Sequence, residues 1–318
     1  MTGRLKKKKG IKMKKLLLIV SVASIAILGH GECNKTCNRS CPKEPRISVF
    51  GSFVLKVAKE RNISLSQAAD MLYDLGVRGF DCGPFEKHVP ELAATKLKPI
   101  NFYFFPRMFA ADKGEADVKH CFDMAAKYSV PRIMLVPVNF TKGGDETAEF
   151  ERILEWTKKF VADAKARGIK VTVEDFGGTA NPCSHAKYLK RFLAEIPDIG
   201  FAYDTGNLYY AGRGEDICEF LEVAKGRIAH LHLKDQTHEN NRKYASLGLG
   251  AVPNEKSVKA IAATDYDGWY TLENPVGDTY IDTVRQVAVL KAWLADAKGC
   301  LPKGCGGEKK CCSKAGCR

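Results

Sequence analysis

Short apolar runs alternate with longer segments of helical spacing through most of the chain. Eight runs are predicted to be β-strands, because they are rich in β-branched and aromatic residues and are bounded by turn residues. Most of the segments between them place apolar residues three and four positions apart, as on one face of a helix. The predicted strands are 47–50, 77–81, 100–105, 132–136, 170–174, 200–204, 228–232 and 269–273.

The predicted helices lie between these strands, so that consecutive strands run parallel. Ser64 or Ser66 can cap the first of them. Eight strands alternating with helices over about 250 residues is typical of a (β/α)8 barrel. No internal repeat or low-complexity linker indicates a second domain, and the barrel is predicted to span residues 46–298. The helices with clear spacing are 67–75, 118–128, 148–167, 185–196, 217–225 and 257–263.

The N-terminal residues 1–31 have the pattern of an export signal. Basic residues come first, an apolar stretch from Leu16 to Gly29 follows, and Gly29 and Gly31 are small residues placed for cleavage before Glu32. The apolar stretch is short against the roughly 20 residues that span a bilayer, which disfavours a retained membrane anchor. Lipid modification at Cys33 is a weaker alternative. The sequence therefore predicts an exported protein whose membrane contact is limited to the signal.

The formal net charge of +13 is concentrated at the two ends of the chain. Residues 1–31 hold eight basic and no acidic residues, and the last twenty hold five basic residues and one acidic residue. The body between them is close to neutral, which argues against a nucleic-acid partner. A basic loop at His238, Arg242 and Lys243 fits a solvated loop better than a phosphate site. A homodimer is left open.

Twelve cysteines agree with an oxidising compartment. Most of them lie in two cysteine-rich segments, 32–45 and 299–318, where disulfides are favoured over a zinc or iron–sulfur site. The pairing is open. The four scattered cysteines are interpreted as small buried hydrophobic residues. The terminal cysteines are Cys33, Cys37, Cys41, Cys300, Cys305, Cys311, Cys312 and Cys317, and the scattered ones are Cys82, Cys121, Cys183 and Cys218.

Four candidate metal ligands stand at the ends of four predicted strands: Glu174, Asp204, His232 and Glu273. The carboxyl ends of parallel barrel strands meet on one face, so these side chains are expected to converge there. Three buried carboxylates beside one imidazole need a cation. This oxygen-dominated set favours one divalent metal, Mn²⁺ before Mg²⁺, with Co²⁺ and Zn²⁺ as alternatives.

The segments that carry these residues resemble the xylose-isomerase-like TIM barrels, in particular the sugar phosphate isomerase/epimerase group, from about residue 47 to 297. They read VTVEDF at Glu174, FAYDTGN at Asp204, HLHLKD at His232 and YDGWYTLE at Glu273. The resemblance implies that these four residues bind one divalent metal. It further implies that Glu174 and Glu273 flank a sugar substrate and move protons.

Four further residues are candidates for substrate binding. Asn207 stands where many epimerases of this family have a histidine, and an amide can hydrogen-bond a sugar hydroxyl but cannot carry a proton at neutral pH. His230 lies on the same strand face as His232 and can equally support the site from behind. Lys234 and Asp235 follow a strand end, where they contact either substrate or each other as an ion pair.

The leading functional hypothesis is a metal-dependent sugar isomerase or epimerase that works through an enediolate, with Glu174 and Glu273 as the proton carriers. Dehydration of a keto-sugar or keto-inositol shares the same first step. An abasic-site endonuclease is disfavoured, because the strands ending near Phe105 and Val136 supply no further histidine ligands. An exported carbohydrate-binding barrel without catalysis is the non-enzymatic alternative.

Overall fold

Eight parallel strands close into a barrel in the part of the chain that the computed structural model describes, residues 44–176, 178–241 and 243–297. The strands are β1 (Arg46–Phe50), β2 (Val77–Cys82), β3 (Lys98–Phe104), β4 (Arg132–Leu135), β5 (Lys170–Glu174), β6 (Ile199–Asp204), β7 (Ile228–Leu233), β8 (Asp235–Gln236), β9 (Tyr244–Ala245) and β10 (Trp269–Leu272). β8 and β9 form a separate antiparallel pair. The other eight follow one another around the barrel, which closes where β1 pairs with β10. The predicted (β/α)8 barrel is confirmed.

Helices connect the barrel strands. They are α1 (Gly51–Arg61), α2 (Leu65–Asp74), α3 (Val89–Ala93), α4 (Ala111–Lys127), α5 (Glu146–Ala166), α6 (Ala186–Glu195), α7 (Asn207–Tyr210), α8 (Ile217–Val223), α9 (Asn254–Ala262) and α10 (Thr279–Ala297). Ser64 caps α2, with its hydroxyl accepting from the Gln67 amide at 3.2 Å and the Gln67 side chain accepting from the Ser64 amide at 3.0 Å. This reciprocal pair satisfies two amides at the start of the helix.

The strand bounds agree with the sequence predictions to within two residues at each end. The largest difference in a predicted helix is at α4, which begins at Ala111 rather than at 118. Its first turns are polar and include Gly114, so they lack the apolar spacing on which the prediction rested. Gly114 is required there, because a Cβ would lie 2.5 Å from the Arg107 carbonyl oxygen.

Side chains alternate between the two faces of each barrel strand, and this alternation creates the site. On β7, Leu231 and Leu233 pack in the apolar core, while His230 and His232 face the barrel interior and hydrogen-bond there to Asp81. The same alternation on β5 buries Val171 and Val173 in the core. The core between strands and helices is therefore apolar, and the barrel interior holds the polar network around Asp81 beside a small apolar group of Met134, Val136 and Ala202.

The ends of the chain lie outside the described residues. The predicted signal at 1–31 and nearly all of the two cysteine-rich segments fall in this part. Among the described residues, no helix has the length and apolar character needed to cross a membrane. Cys82, Cys121 and Cys183 are buried free thiols, which confirms their interpretation as small core residues. Cys218 is exposed, so that interpretation is wrong for this residue.

Candidate metal centre and active site

The four predicted metal ligands lie at the carboxyl ends of four consecutive barrel strands. Glu174 ends β5, Asp204 ends β6, His232 is the penultimate residue of β7, and Glu273 directly follows β10. In the barrel these strands run in the order β5, β6, β7, β10. The backbone register sets Asp204 opposite His232. The sequence places one ligand on each strand, and the closure of the barrel brings all four together.

The side chains of these residues converge on His232 Nδ1. That atom lies 2.8 Å from Glu174 Oε1, 4.0 Å from Asp204 Oδ2 and 3.9 Å from Glu273 Oε2. One ligand atom from each of Glu174, Asp204 and His232 lies within 4.8 Å of the other two. All three residues are buried, and the Glu273 side chain is 19% exposed. The four side chains can surround one cation, and the partly exposed Glu273 lies on the solvent side of the cluster.

Asp204 supplies an oxygen that fits a metal. Its Oδ1 accepts the backbone amides of Gly206 and Asn207 at 2.8 and 3.0 Å, which fixes the carboxylate. Its Oδ2 is buried, pairs with the Lys234 ammonium at 2.9 Å and lies 4.0 Å from His232 Nδ1. Burial raises the pKa of Asp204 to about 7, against the attraction of Lys234 and with further repulsion from Glu273 and Glu174. A divalent cation would remove this penalty.

Asp81, at the inner face of β2, supports His232 from behind. Its Oδ2 lies 3.1 Å from His232 Nε2, 2.7 Å from His230 Nε2 and 2.7 Å from the side-chain nitrogen Nδ2 of Asn101. A proton on Nε2 of His232 can be donated to Asp81, which leaves Nδ1 as the metal-binding nitrogen. Asp81 was not among the site residues predicted from the sequence. It ends a predicted strand, as the other acidic residues do, so the same signal was present.

The charges of this inner network follow from its contacts. Burial by itself raises the pKa of Asp81, but His230 and His232 outweigh it and hold that pKa well below its ordinary value. Burial lowers the pKa of His230 to about 4, so this imidazole is neutral at pH 7. Burial also acts to lower the pKa of His232, but its bonds to Asp81 and Glu174 overcome this and raise it well above the ordinary value. A metal that bound at Nδ1 would therefore displace a proton from this imidazole.

Lys234 and Asn207, both predicted to bind substrate, lie inside the cluster. The Lys234 ammonium is 3.0 Å from Glu273 Oε1 and 3.1 Å from Asn207 Oδ1. Burial acts to lower the pKa of Lys234, but Asp204 and Glu273 raise it well above its ordinary value. The pKa of Glu273 is lowered, because Lys234 and His232 outweigh the effect of burial. The site thus contains a buried ammonium and an ionised carboxylate in contact.

The other two predicted substrate-binding residues have partners away from the mouth of the barrel. His230 is fully buried and hydrogen-bonds to Asp81, which places it beneath His232. The carboxylate of Asp235 is buried and accepts four backbone amides at 2.8 to 3.2 Å, so its contacts organise its own loop. The four amides belong to Gln236, Gly248, Gly250 and Val252.

The loop around Asp235 also explains the Leu-Gly-Leu-Gly segment. Gly248 has a φ of +80°, which favours glycine. A Cβ at Gly250 would lie 2.1 Å from Asp235 Oδ1, so only glycine lets the amide approach the carboxylate. These glycines therefore serve the carboxylate of Asp235.

Aromatic side chains line the mouth of the barrel beside the four candidate metal ligands, Glu174, Asp204, His232 and Glu273, which together are called the metal cluster below. The ring of Phe50 lies 5.0 Å from the His232 ring and 5.4 Å from the Tyr103 ring. The Tyr103 hydroxyl donates a hydrogen bond to Glu86 Oε1, and the same oxygen accepts the Gly83 backbone amide at 2.9 Å. Phe102 and Phe104 are fully buried, as core packing predicts. Neither Phe50 nor Tyr103 was among the predicted site residues, since apolar strand ends carry no chemical signal.

The closed (β/α)8 barrel carries an acidic cluster at the carboxyl ends of its strands. This places the protein in the class of barrel proteins whose functional site lies at those strand ends. The chain belongs to the xylose isomerase-like TIM barrel family, whose family model matches residues 64–296. The resemblance found in the sequence motifs is confirmed.

Curated proteins named inosose dehydratase are similar in sequence. One, from Mesomycoplasma hyopneumoniae strain J, is 24% identical over 249 residues, which cover 67% of this chain and 81% of that protein. Other curated proteins with this name are matched over about half of their length, for example 47% of the protein from Mesomycoplasma hyopneumoniae strain 7448.

Solved structures share the fold at low sequence identity. The IOLI protein, determined with a bound zinc atom, has a TM-score of 0.63 and 14% identity, covering 79% of this chain and 97% of that one. The 3-keto-D-glucoside 4-epimerase from E. coli has a TM-score of 0.59 and 14% identity, covering 78% of this chain and 99% of that one. These likenesses support the fold.

Proposed function

We propose that the protein is a divalent-metal-dependent enzyme that acts on a sugar or sugar derivative and moves a proton at the carbon next to a carbonyl group. The observation that carries the proposal is the placing of two carboxylates around His232 Nδ1. Glu174 Oε1 lies 2.8 Å and Glu273 Oε2 lies 3.9 Å from this nitrogen. They project from β5 and from the end of β10, on opposite sides of β6 and β7 in the barrel.

The donor set supports one metal ion held by Glu174, Asp204, His232 and Glu273. The observation that fits a cation best is the convergence of one ligand atom from each of Glu174, Asp204 and His232 within 4.8 Å of the others. Three carboxylates and one imidazole favour Mn²⁺, with Mg²⁺, Co²⁺ and Zn²⁺ as alternatives. A divalent ion bound there would supply Lewis acidity to a substrate carbonyl and its neighbouring hydroxyl.

The side chains of the cluster can carry out the proton transfer. One carboxylate, Glu174 or Glu273, accepts the proton from the carbon next to the carbonyl, and the electron pair of the broken C–H bond forms an enediolate. The Lys234 ammonium can donate a hydrogen bond to an oxygen that gains negative charge. The Asn207 amide can bind a hydroxyl. The aromatic side of the mouth excludes water from this step.

The fate of the enediolate decides the reaction. Return of the proton to the opposite face of the same carbon gives an epimer, and return to the neighbouring carbon gives an isomer. Two carboxylates that reach the substrate from different strands support these outcomes, which we place first. Dehydration is the second candidate: a hydroxyl next to the enediolate takes a proton and leaves as water. The curated relatives named inosose dehydratase favour this alternative.

Hydrogen–deuterium exchange in the substrate tests the proposal, because all three reactions share the first step. The Mn²⁺-loaded protein is incubated in D₂O with ketoses, aldoses and keto-inositols, and ¹H NMR follows the proton next to each carbonyl. We expect metal-dependent exchange in at least one compound, loss of exchange in Glu273→Gln, and a product that identifies the reaction. Sugar binding without any exchange would contradict the proposal and support a carbohydrate-binding barrel without catalysis.

We further propose that the enzyme works on a small sugar molecule outside the cytoplasm, without a nucleic-acid partner. Its location is a proposal that rests on the signal pattern at residues 1–31 alone. The near-neutral charge of the chain between its two basic ends supports the absence of a nucleic-acid partner. A homodimer stays a prediction.

A further inference from the structure

The two sides of the barrel mouth differ in chemistry. The metal cluster occupies β5, β6, β7 and the end of β10, whereas β1 and β3 end in aromatic residues. Phe50 ends β1, and its ring lies 5.0 Å from the His232 ring. The Tyr103 ring follows at 5.4 Å from Phe50, and the Phe105 ring at 6.4 Å from Tyr103. A continuous series of rings therefore leads from the metal cluster outward.

Phe105 and Phe176 end this series at the surface. Their ring centroids are 5.2 Å apart at an interplanar angle of 77°, an edge-to-face arrangement. Phe105 is 51% exposed and Phe176 is 36% exposed. Phe176 comes two residues after Glu174, so the pair stands close to the proton-transferring carboxylate in the chain. Two adjacent exposed phenylalanines beside a concave site indicate a surface that binds an apolar group.

The series of four aromatic rings is longer than a single sugar ring can contact. One sugar ring covers roughly one aromatic ring, and Phe50 with Tyr103 already offers this contact next to His232. The Phe105–Phe176 pair lies one ring farther out. Its surface is apolar and carries no charge, so it suits the C–H face of a second sugar ring or the face of an aromatic ring, and it does not suit a phosphate.

We propose that Phe105 and Phe176 form an outer subsite for a second ring carried by the substrate, so that the enzyme prefers a glycoside of a keto-sugar, which keeps a carbonyl on its ring, to a free monosaccharide. This inference rests on the proposed function. The reacting sugar lies over the candidate metal ligands and beside Phe50, and its ring-bearing substituent lies against the Phe105–Phe176 pair. The subsite sets specificity and takes no part in proton transfer.

Calorimetric binding of simple glycosides to the Mn²⁺-loaded protein tests the subsite. The probes are the methyl, phenyl and glucosyl β-glycosides of 3-keto-D-glucose, which share one carbonyl-bearing ring and differ in the second group. We expect at least one of the two ring-bearing probes to bind about tenfold more tightly than the methyl glycoside, the gain typical of one or two aromatic contacts. The phenyl and glucosyl glycosides differ in whether the second ring is aromatic or a sugar.

Variants of the exposed phenylalanines assign the preference. Phe105→Ala and Phe176→Ala are expected to reduce the tenfold preference to about twofold or less. Phe109→Ala is the matched control, since Phe109 is 44% exposed but its ring faces the Arg152 guanidinium at 4.3 Å. This control is expected to retain the preference.

Equal affinity of wild type for all three probes, or no binding of either ring-bearing probe, would overturn the subsite. A preference that survives both Phe105→Ala and Phe176→Ala would overturn it as well. Deuterium exchange measured on the same preparations reports the proposed function separately. If exchange occurs and the probes bind alike, the subsite fails alone. If no sugar undergoes exchange, the proposed function fails.

Discussion

Replacing Glu174 with Gln is expected to lower turnover about 10³-fold or more. The substitution keeps the shape of the side chain but removes the negative charge that both the metal and the proton transfer need. It also replaces the carboxylate that lies 2.8 Å from His232 Nδ1 with a neutral amide. The measurement is kcat for whichever sugar shows deuterium exchange, with the metal in excess to separate chemistry from weaker metal binding.

Glu115→Gln is the control for this prediction, because Glu115 is an exposed residue of α4 on the outside of the barrel. It is expected to leave kcat within about twofold, as most surface substitutions do. Thermal unfolding of both variants shows whether the fold is intact. A Glu174→Gln protein that unfolds like wild type and keeps more than a tenth of its kcat would remove Glu174 from the proposed chemistry.

The second large effect is expected from Asp81→Asn, which should weaken Mn²⁺ binding about 10- to 100-fold. Asp81 Oδ2 accepts hydrogen bonds from both His230 and His232. A neutral amide holds the His232 ring less firmly and no longer favours the proton on Nε2, so Nδ1 becomes a poorer ligand. Titration calorimetry with Mn²⁺ at constant pH gives the Kd directly.

A buried carboxylate elsewhere separates this effect from a general loss of stability. Asp117 is 6% exposed and pairs with Arg107, at 2.6 Å from its Nε nitrogen, far along the chain from the ligands. Asp117→Asn is expected to lower the unfolding temperature without changing the Mn²⁺ Kd. If Asp81→Asn lowers stability alone and binds Mn²⁺ as wild type does, Asp81 has a structural role only.

The convergence of the four candidate metal ligands could be predicted from the sequence because it depends on strand ends alone. Glu174, Asp204, His232 and Glu273 each end an apolar run, and parallel strands in a closed barrel bring their carboxyl ends together. No knowledge of side-chain conformation was needed. Asp81 obeys the same rule as the penultimate residue of β2, but β1 and β10 separate β2 from β7 in the barrel. Its contact with His232 depends on the width of the barrel interior, which strand positions do not give.

The contacts of Lys234 and Asp235 could not be predicted, although both are polar residues after the same strand. Lys234 turns inward and reaches Glu273, whereas Asp235 turns into the loop and binds four amides. The alternation of the strand faces separates them, and the β8–β9 pair then fixes the loop. Two roles were open for each residue from the sequence alone. The path of this loop decides between them, and it could not be predicted from the sequence.

The aromatic series could not be predicted for a different reason. Phe102, Phe104 and Phe105 are adjacent in the sequence and equally apolar, yet two are fully buried and Phe105 is half exposed. The outer position of Phe105 follows from the end of β3 at Phe104, one residue before it. Its pairing with Phe176 joins the loops after two strands that are separated by β4, so no local pattern could indicate it.

Metal stoichiometry tests the central claim most directly. The purified protein is stripped with chelator, reloaded with Mn²⁺, desalted and measured by elemental analysis, beside Asp204→Asn, which replaces this buried carboxylate with a neutral amide. We predict about one equivalent of metal in wild type and little in the variant. Wild type without bound metal after reloading, with its fold intact, would contradict the account of this cluster as a metal centre.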